Sequence, residues 1–158
     1  MNPTFEQRLQ HLLDLEEIRT VLLDYGSALD RRDFVAYSKL FAQQGTWSGP
    51  FVGSATGPEA ICAMLEKNLP AVAGEKPSGA HHLMTNMRIE IRGDMATAWS
   101  RWTYLVPGPG RAPTVALSGH YDDVLTREAG RWKFQSRMVA GDLPGEEQNS
   151  PAPGNSQS

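Results

Sequence analysis

A few polar residues stand where the hydrophobic pattern of this chain would otherwise place apolar ones. They are Tyr25 and Asp30 in a helical stretch, the adjacent His81 and His82 in SGAHHLMTNMRIEIRGD, the pair Asp122-Asp123, and Arg137 near the end of the last apolar segment. A histidine, a carboxylate, an arginine and a phenol supply a base, a group to orient it, a cation for a developing anion and a possible acid. That set equips a site for proton abstraction and elimination. Each residue also has a plainer role: a structural strand histidine, a solvated acid at a helix end, an exposed arginine. Met84, Met87 and Met95 suit core filling.

The elements around these residues decide what can converge. Ile18, Leu22, Tyr25 and Leu29 follow a 4-3-4 spacing, one stripe of a helix facing a core. Tyr25 and Asp30 are about 140° apart on an ideal helix, so they share a pocket if the helix bends or ends between them, and Gly26-Ser27 permits a bend. His81 and His82 point to opposite faces of a strand. Alternation with Met87, Ile89 and Ile91 favours His81 inward, and a bulge near the strand start reverses that. Asp122 and Asp123 also face opposite ways.

Asn2-Pro3 and Asp14-x-x-Glu17 are helix-opening signals, so one or two helices are expected over residues 3–31. A short helix follows Asp33. Residues 45–57 read as a hairpin carrying Trp47 and Phe51, Gly57-Pro58-Glu59 opens a helix to about Leu69, and 70–79 is a loop. The second half changes period: HHLMTNMRIEIR, MATAWSRWTYLV, TVALSGHYDDVLTR and RWKFQSRMV are four long antiparallel strands. Helices first and strands later predict an α+β fold, a cone in which a strongly curved, mixed but mainly antiparallel sheet wraps the N-terminal helices. The domain is expected over residues 1–142, with a disordered Pro/Gly/Ser-rich tail at 143–158.

Composition narrows function. The chain has 158 residues, 40% hydrophobic and 21% charged, with a net charge of −3. No run is apolar enough for a membrane, no signal sequence is evident, and the basic stripe of a nucleic-acid binder is missing, so a cytoplasmic protein is expected. Cys62 is the only cysteine and sits among apolar neighbours. His81, His82 and His120 lack zinc-site spacing, so no metal is expected.

The segments LLDYGSALDRRDFVAYSKLFAQQGTW, GSATGPEAI, HHLMTNMRIEI and GHYDDVLTREAGRWKFQSR, in that order, resemble the SnoaL-like branch of the nuclear transport factor 2 superfamily over about residues 8–140. Within it the chain is similar to hexachlorocyclohexane dehydrochlorinase and bile acid 7α-dehydratase, and more distantly to scytalone dehydratase. The resemblance implies Asp30 as the helix-closing aspartate, Tyr25 as the tyrosine five residues before it, His82 as the histidine of H-x-x-T-N, and Arg137 as the arginine after W-K-F. The chain departs from the dehydratases in offering Ser100, Arg101, Thr103 and Tyr104 where they carry a further acid or histidine.

The resulting expectation is a cofactor-free lyase or isomerase acting on a small, apolar, cyclic molecule. His82 is the base, Asp30 its orienting carboxylate, Arg137 the cation for the anion formed, and Tyr25 the donor. Trp47, Phe51, Met84 and Trp102 are expected on the cavity wall. The alternative is a binding or accessory module, including one like a dioxygenase small subunit. The resemblance to dehydratases implies a homotrimer, with a homodimer as the alternative. Trp99 and Trp102, on opposite strand faces, cannot share one core and support self-association.

Overall fold

The computed structural model describes residues 2–50, 52–69 and 79–143. Among these residues three α-helices, α1 (Phe5–Arg31), α2 (Phe34–Ser38) and α3 (Pro58–Asn68), pack on a sheet of six strands. The strands are β1 (Phe41–Gly49), β2 (Gly53–Thr56), β3 (His81–Arg92), β4 (Met95–Pro107), β5 (Pro113–Glu128) and β6 (Arg131–Leu143), in the spatial order β2-β1-β6-β5-β4-β3. Among the described strands only β1 and β6 pair in parallel. The architecture is the α+β arrangement read from the sequence, with an open mixed sheet rather than a closed barrel.

Helix α1 is a single helix. Its cap is Thr4 rather than Asn2: Thr4 Oγ1 accepts from the Gln7 N–H, and the Gln7 side chain accepts from the Thr4 N–H. Asp14 and Glu17 do not open a second helix, because both reach across to the β5–β6 hairpin. Asp14 accepts from the Arg127 guanidinium at 2.8 Å and the Trp132 indole at 3.2 Å, and Glu17 accepts from the Trp132 backbone N–H. The expected stripe is present, with Ile18, Leu22 and Tyr25 buried. Strand β6 continues through Leu143, and the remainder of the expected tail lies outside the described residues.

The helix and sheet meet over an aromatic core in which Tyr25 packs against Tyr37, Tyr121 and Phe134. Gly26 lets β3 approach α1 closely, because a Cβ there would already touch Met84 Sδ at 3.3 Å. That approach brings the start of β3 to the last turn of α1.

Candidate active site

The parity of β3 is set by one residue. Asn86 adopts a left-handed conformation (φ 54°), and the pairing with β4 shifts between Thr85 and Arg88. Asn tolerates this geometry better than most residues. The bulge puts Met87, Ile89 and Ile91 on the same inward face as His82 and Met84, leaving His81 outside.

His82 then meets Asp30. Its ring Nδ1 lies 2.8 Å from Asp30 Oδ1, and its backbone N–H donates to Oδ2 at 2.9 Å. A carboxylate only accepts, so Nδ1 carries a proton, and in the neutral tautomer that this selects, Nε2 keeps its lone pair. Both side chains are mostly buried, at 15% and 17% exposure. Tyr104 covers the imidazole, with ring centroids 4.7 Å apart.

The pair lies on the wall of a cavity of about 320 Å³. The wall is mainly aromatic and aliphatic. Tyr25, Tyr37, Trp47, Trp102, Tyr104 and Tyr121 supply its rings, and Leu29, Val52, Leu65, Leu69, Leu117 and Val139 its aliphatic patches. Gly119 makes room for Trp102, since a Cβ there would fall 2.6 Å from the indole. Although α1 is continuous, Tyr25 and Asp30 both reach this wall, one at the buried core and the other at the helix end.

The Tyr25 oxygen accepts from the Trp47 indole N–H at 2.8 Å, and its hydroxyl also hydrogen-bonds with that of Tyr37. Burial pushes the Tyr25 phenol above its usual range, and the Arg137 cation opposes that shift only in part. Tyr25 is therefore a neutral phenol at ordinary pH. Burial likewise raises Tyr37 and Tyr121.

Two expected residues stand elsewhere. Arg137 is not on the wall: it is fully buried behind Tyr25 and forms a two-pronged ion pair with Asp123, at 2.7 and 2.6 Å. Its guanidinium stacks on the rings of Tyr25, Tyr121 and Phe134 at 3.9–4.2 Å. Burial works against the charge, and Asp123 outweighs it, so Arg137 stays protonated. The burial of Asp123 follows from strand alternation, which leaves Asp122 outward. Met84 also misses the wall, because the closeness of Gly26 directs it into the helix–strand contact. Phe51 lies outside the described residues.

Sequence reasoning missed Tyr37, Tyr121 and Arg32 on the wall. Tyr121 was accessible from strand parity with Asp123, whereas Arg32 carries no sequence signal. Among the described residues no group of three or more His, Cys, Asp or Glu side chains could hold a metal ion, and no helix is long and apolar enough to cross a membrane.

A second histidine–aspartate contact occurs on the outer sheet face. His120 Nδ1 lies 2.8 Å from Asp142 Oδ1, and Nε2 lies 3.6 Å from Asp122 Oδ2. Arg101 also binds Asp142, at 2.9 Å, and Trp99 stacks on the His120 ring.

The fold has many solved relatives. An NTF2-like protein with a cystatin-like fold from Novosphingobium aromaticivorans superposes with a TM-score of 0.74 and 24% identity, covering 88% of each chain. LinA gives 0.72 and 21% identity over 85% of this chain and 90% of its own. A putative scytalone dehydratase from Novosphingobium aromaticivorans gives 0.68 and 23% over 84% and 87%. No curated protein sequence matches the chain. The SnoaL-like domain model matches residues 10–138, and the chain belongs to that family.

Proposed function

We propose that the cavity is the active site of a cofactor-independent lyase or isomerase acting on a small, apolar, cyclic substrate. His82 Nε2 takes a proton from the substrate. Asp30 holds the ring in the needed tautomer and stabilises the imidazolium that forms. Tyr25 donates its O–H to the oxygen or leaving group on which negative charge develops. Arg137 acts through Tyr25: its cation behind the ring makes the phenol a stronger donor. It is a positioning residue and does not touch substrate. A placed base of this kind contributes roughly 10² to 10⁴ in rate.

The observation that carries the reading is the His82–Asp30 contact, with Nε2 left as an acceptor on an apolar wall. The similarity to LinA, an HCH dehydrochlorinase, and to a putative scytalone dehydratase supports elimination chemistry. The decisive experiment is single-turnover kinetics on a panel of cyclic alcohols, halides and enones. Asp30→Asn should lower the rate at least about a hundredfold with ligand affinity nearly unchanged, since an amide cannot stabilise imidazolium. Wild-type turnover in both His82→Ala and Asp30→Asn rejects the mechanism.

One observation favours a binding module instead: the Arg137–Asp123 tie removes a cation from the wall. Panel members that bind without turning over would select that reading. We also propose that the protein works in the cytoplasm as a homotrimer, with a homodimer as the alternative. Apolar side chains exposed on α1 (Phe5, Leu9, Leu12) and on the strands (Leu83, Met138) support self-association. Light scattering near 17 kDa at micromolar concentration would reject it.

A further inference from the structure

We propose that Arg32 makes the cavity selective for a carboxylate, so that the ligand is a cyclic apolar acid whose ring fills the wall and whose charge sits at the rim. The inference rests on the ligand-binding reading of the cavity above and adds a substrate class to it.

Arg32 is the residue that closes α1, and it is half-buried on the cavity wall. It is the only lysine or arginine among the described residues of that wall. No ion pair or side-chain hydrogen bond engages its guanidinium among the described residues. Asp30, two residues away, is engaged by the ring and the backbone N–H of His82. A guanidinium beside apolar rings, with no partner for its planar fork of donors among the described residues, matches the geometry of a carboxylate.

The backbone gives a second, independent reason. Arg32 has φ 60° and ψ 29°, in the left-handed region where glycine is preferred. Its N–H donates to Leu29 O at 3.1 Å, and the next N–H, of Asp33, donates to Ala28 O at 2.9 Å. Asp33 Oδ1 in turn accepts from the Ala36 N–H that opens α2. The turn is pinned on both sides, and it bears a long cation where stability alone favours glycine. This rigid mount fixes where the charge emerges, at the end of the helix that also presents Asp30.

A wall of this kind holds the ring through apolar contact, and the cation discriminates by charge.

The test compares benzoate and naphthalene-2-carboxylate with benzamide and naphthalene-2-carboxamide, neutral analogues of nearly the same shape, by titration calorimetry at pH 7.5. Wild-type protein should bind at least one acid about tenfold or more tighter than its amide. Arg32→Gln should erase that preference while changing the amide Kd less than about twofold. Arg32→Gly should erase it too, and should raise the melting temperature by relieving the left-handed turn. Equal affinity for acid and amide in the wild type, or a preference that survives both substitutions, overturns the role of Arg32 and leaves the ligand cavity standing. Failure of all four probes to bind at millimolar concentration overturns both.

Discussion

Two histidines in this protein make the same bond in opposite settings. His82 and His120 each place Nδ1 2.8 Å from an aspartate oxygen. On the concave side, the rest of the His82 ring meets an apolar cavity. On the outer face, the His120 ring has a second carboxylate, Asp122, 3.6 Å from Nε2, while Arg101 shares Asp142. The difference is in the third neighbour. A base needs an unclaimed lone pair facing space that a substrate can enter, and His120 faces a charged surface network instead. The outer group is worth little by itself, because exposed ion pairs contribute only about 0–1 kcal/mol.

The largest effect should therefore separate the two histidines in turnover. His82→Ala should lower the single-turnover rate by roughly 10² to 10⁴, whereas His120→Ala should stay within about twofold. The same contrast should hold between Asp30→Asn and Asp142→Asn. Equal losses from the two histidine substitutions would break the comparison, because the bond alone would then be sufficient.

Next in size is the buried pair behind Tyr25. Arg137→Ala should cost about 3–5 kcal/mol in a urea titration, because Asp123 would be left buried without its cation. A value below about 1 kcal/mol would mean that the interior tolerates the bare carboxylate. Breaking the outer Arg101–Asp142 pair by Arg101→Ala should cost no more than about 1 kcal/mol.

The bulge that separates the two faces can be tested directly. Asn86→Gly should be near neutral, whereas Asn86→Val should cost about 1–2 kcal/mol, because a β-branched residue resists the left-handed conformation. If Asn86→Val folds, the rate should fall with it, since β3 gains an incentive to restore strict alternation and turn His82 outward.

The smallest effect concerns Asp14. Burial would raise its carboxyl, but hydrogen bonds from Arg127, Trp132 and Gln10 outweigh that and hold it below the usual value of 3.8. The stability it contributes is thus complete above about pH 4 and is lost as pH falls from there through its lower folded value. Asp14→Asn should cost about 1 kcal/mol at pH 7 and progressively less below pH 4, measured by denaturant titration at several pH values.

Much of the fold was legible because it rests on periodicity. The Ile18–Leu22–Tyr25 stripe and the four long strands each repeat a signal over many residues, and repetition makes such signals readable. Single-residue events were less so. Alternation alone favoured His81, and only the resemblance to known enzymes singled out His82. The physical cause is one left-handed Asn86, which in sequence is an ordinary asparagine. The partner of Arg137 was hidden for another reason: the cross-strand register that sets it opposite Asp123 is a tertiary fact. Met84 followed the right parity yet is absorbed by the close approach at Gly26. Arg32 was invisible because, in LDRRD, it reads as one more solvated charge at a helix end, and its place on the cavity wall is a tertiary fact.

The parallel pairing of β1 with β6 also dictates a timetable. Strands β3, β4, β5 and β6 follow one another as hairpins, so their contacts are local and can form as the chain emerges. Trp47, however, sits on β1 opposite Arg137, and β1 must wait for the final strand before it gains that neighbour. Until then its edge is unpaired and its aromatic side chain exposed, a state prone to misassociation. A ribosome-bound chain truncated before residue 131 should hold the β3–β5 meander yet lack a finished cavity, so ligand protection against protease should appear only once the last strand is released.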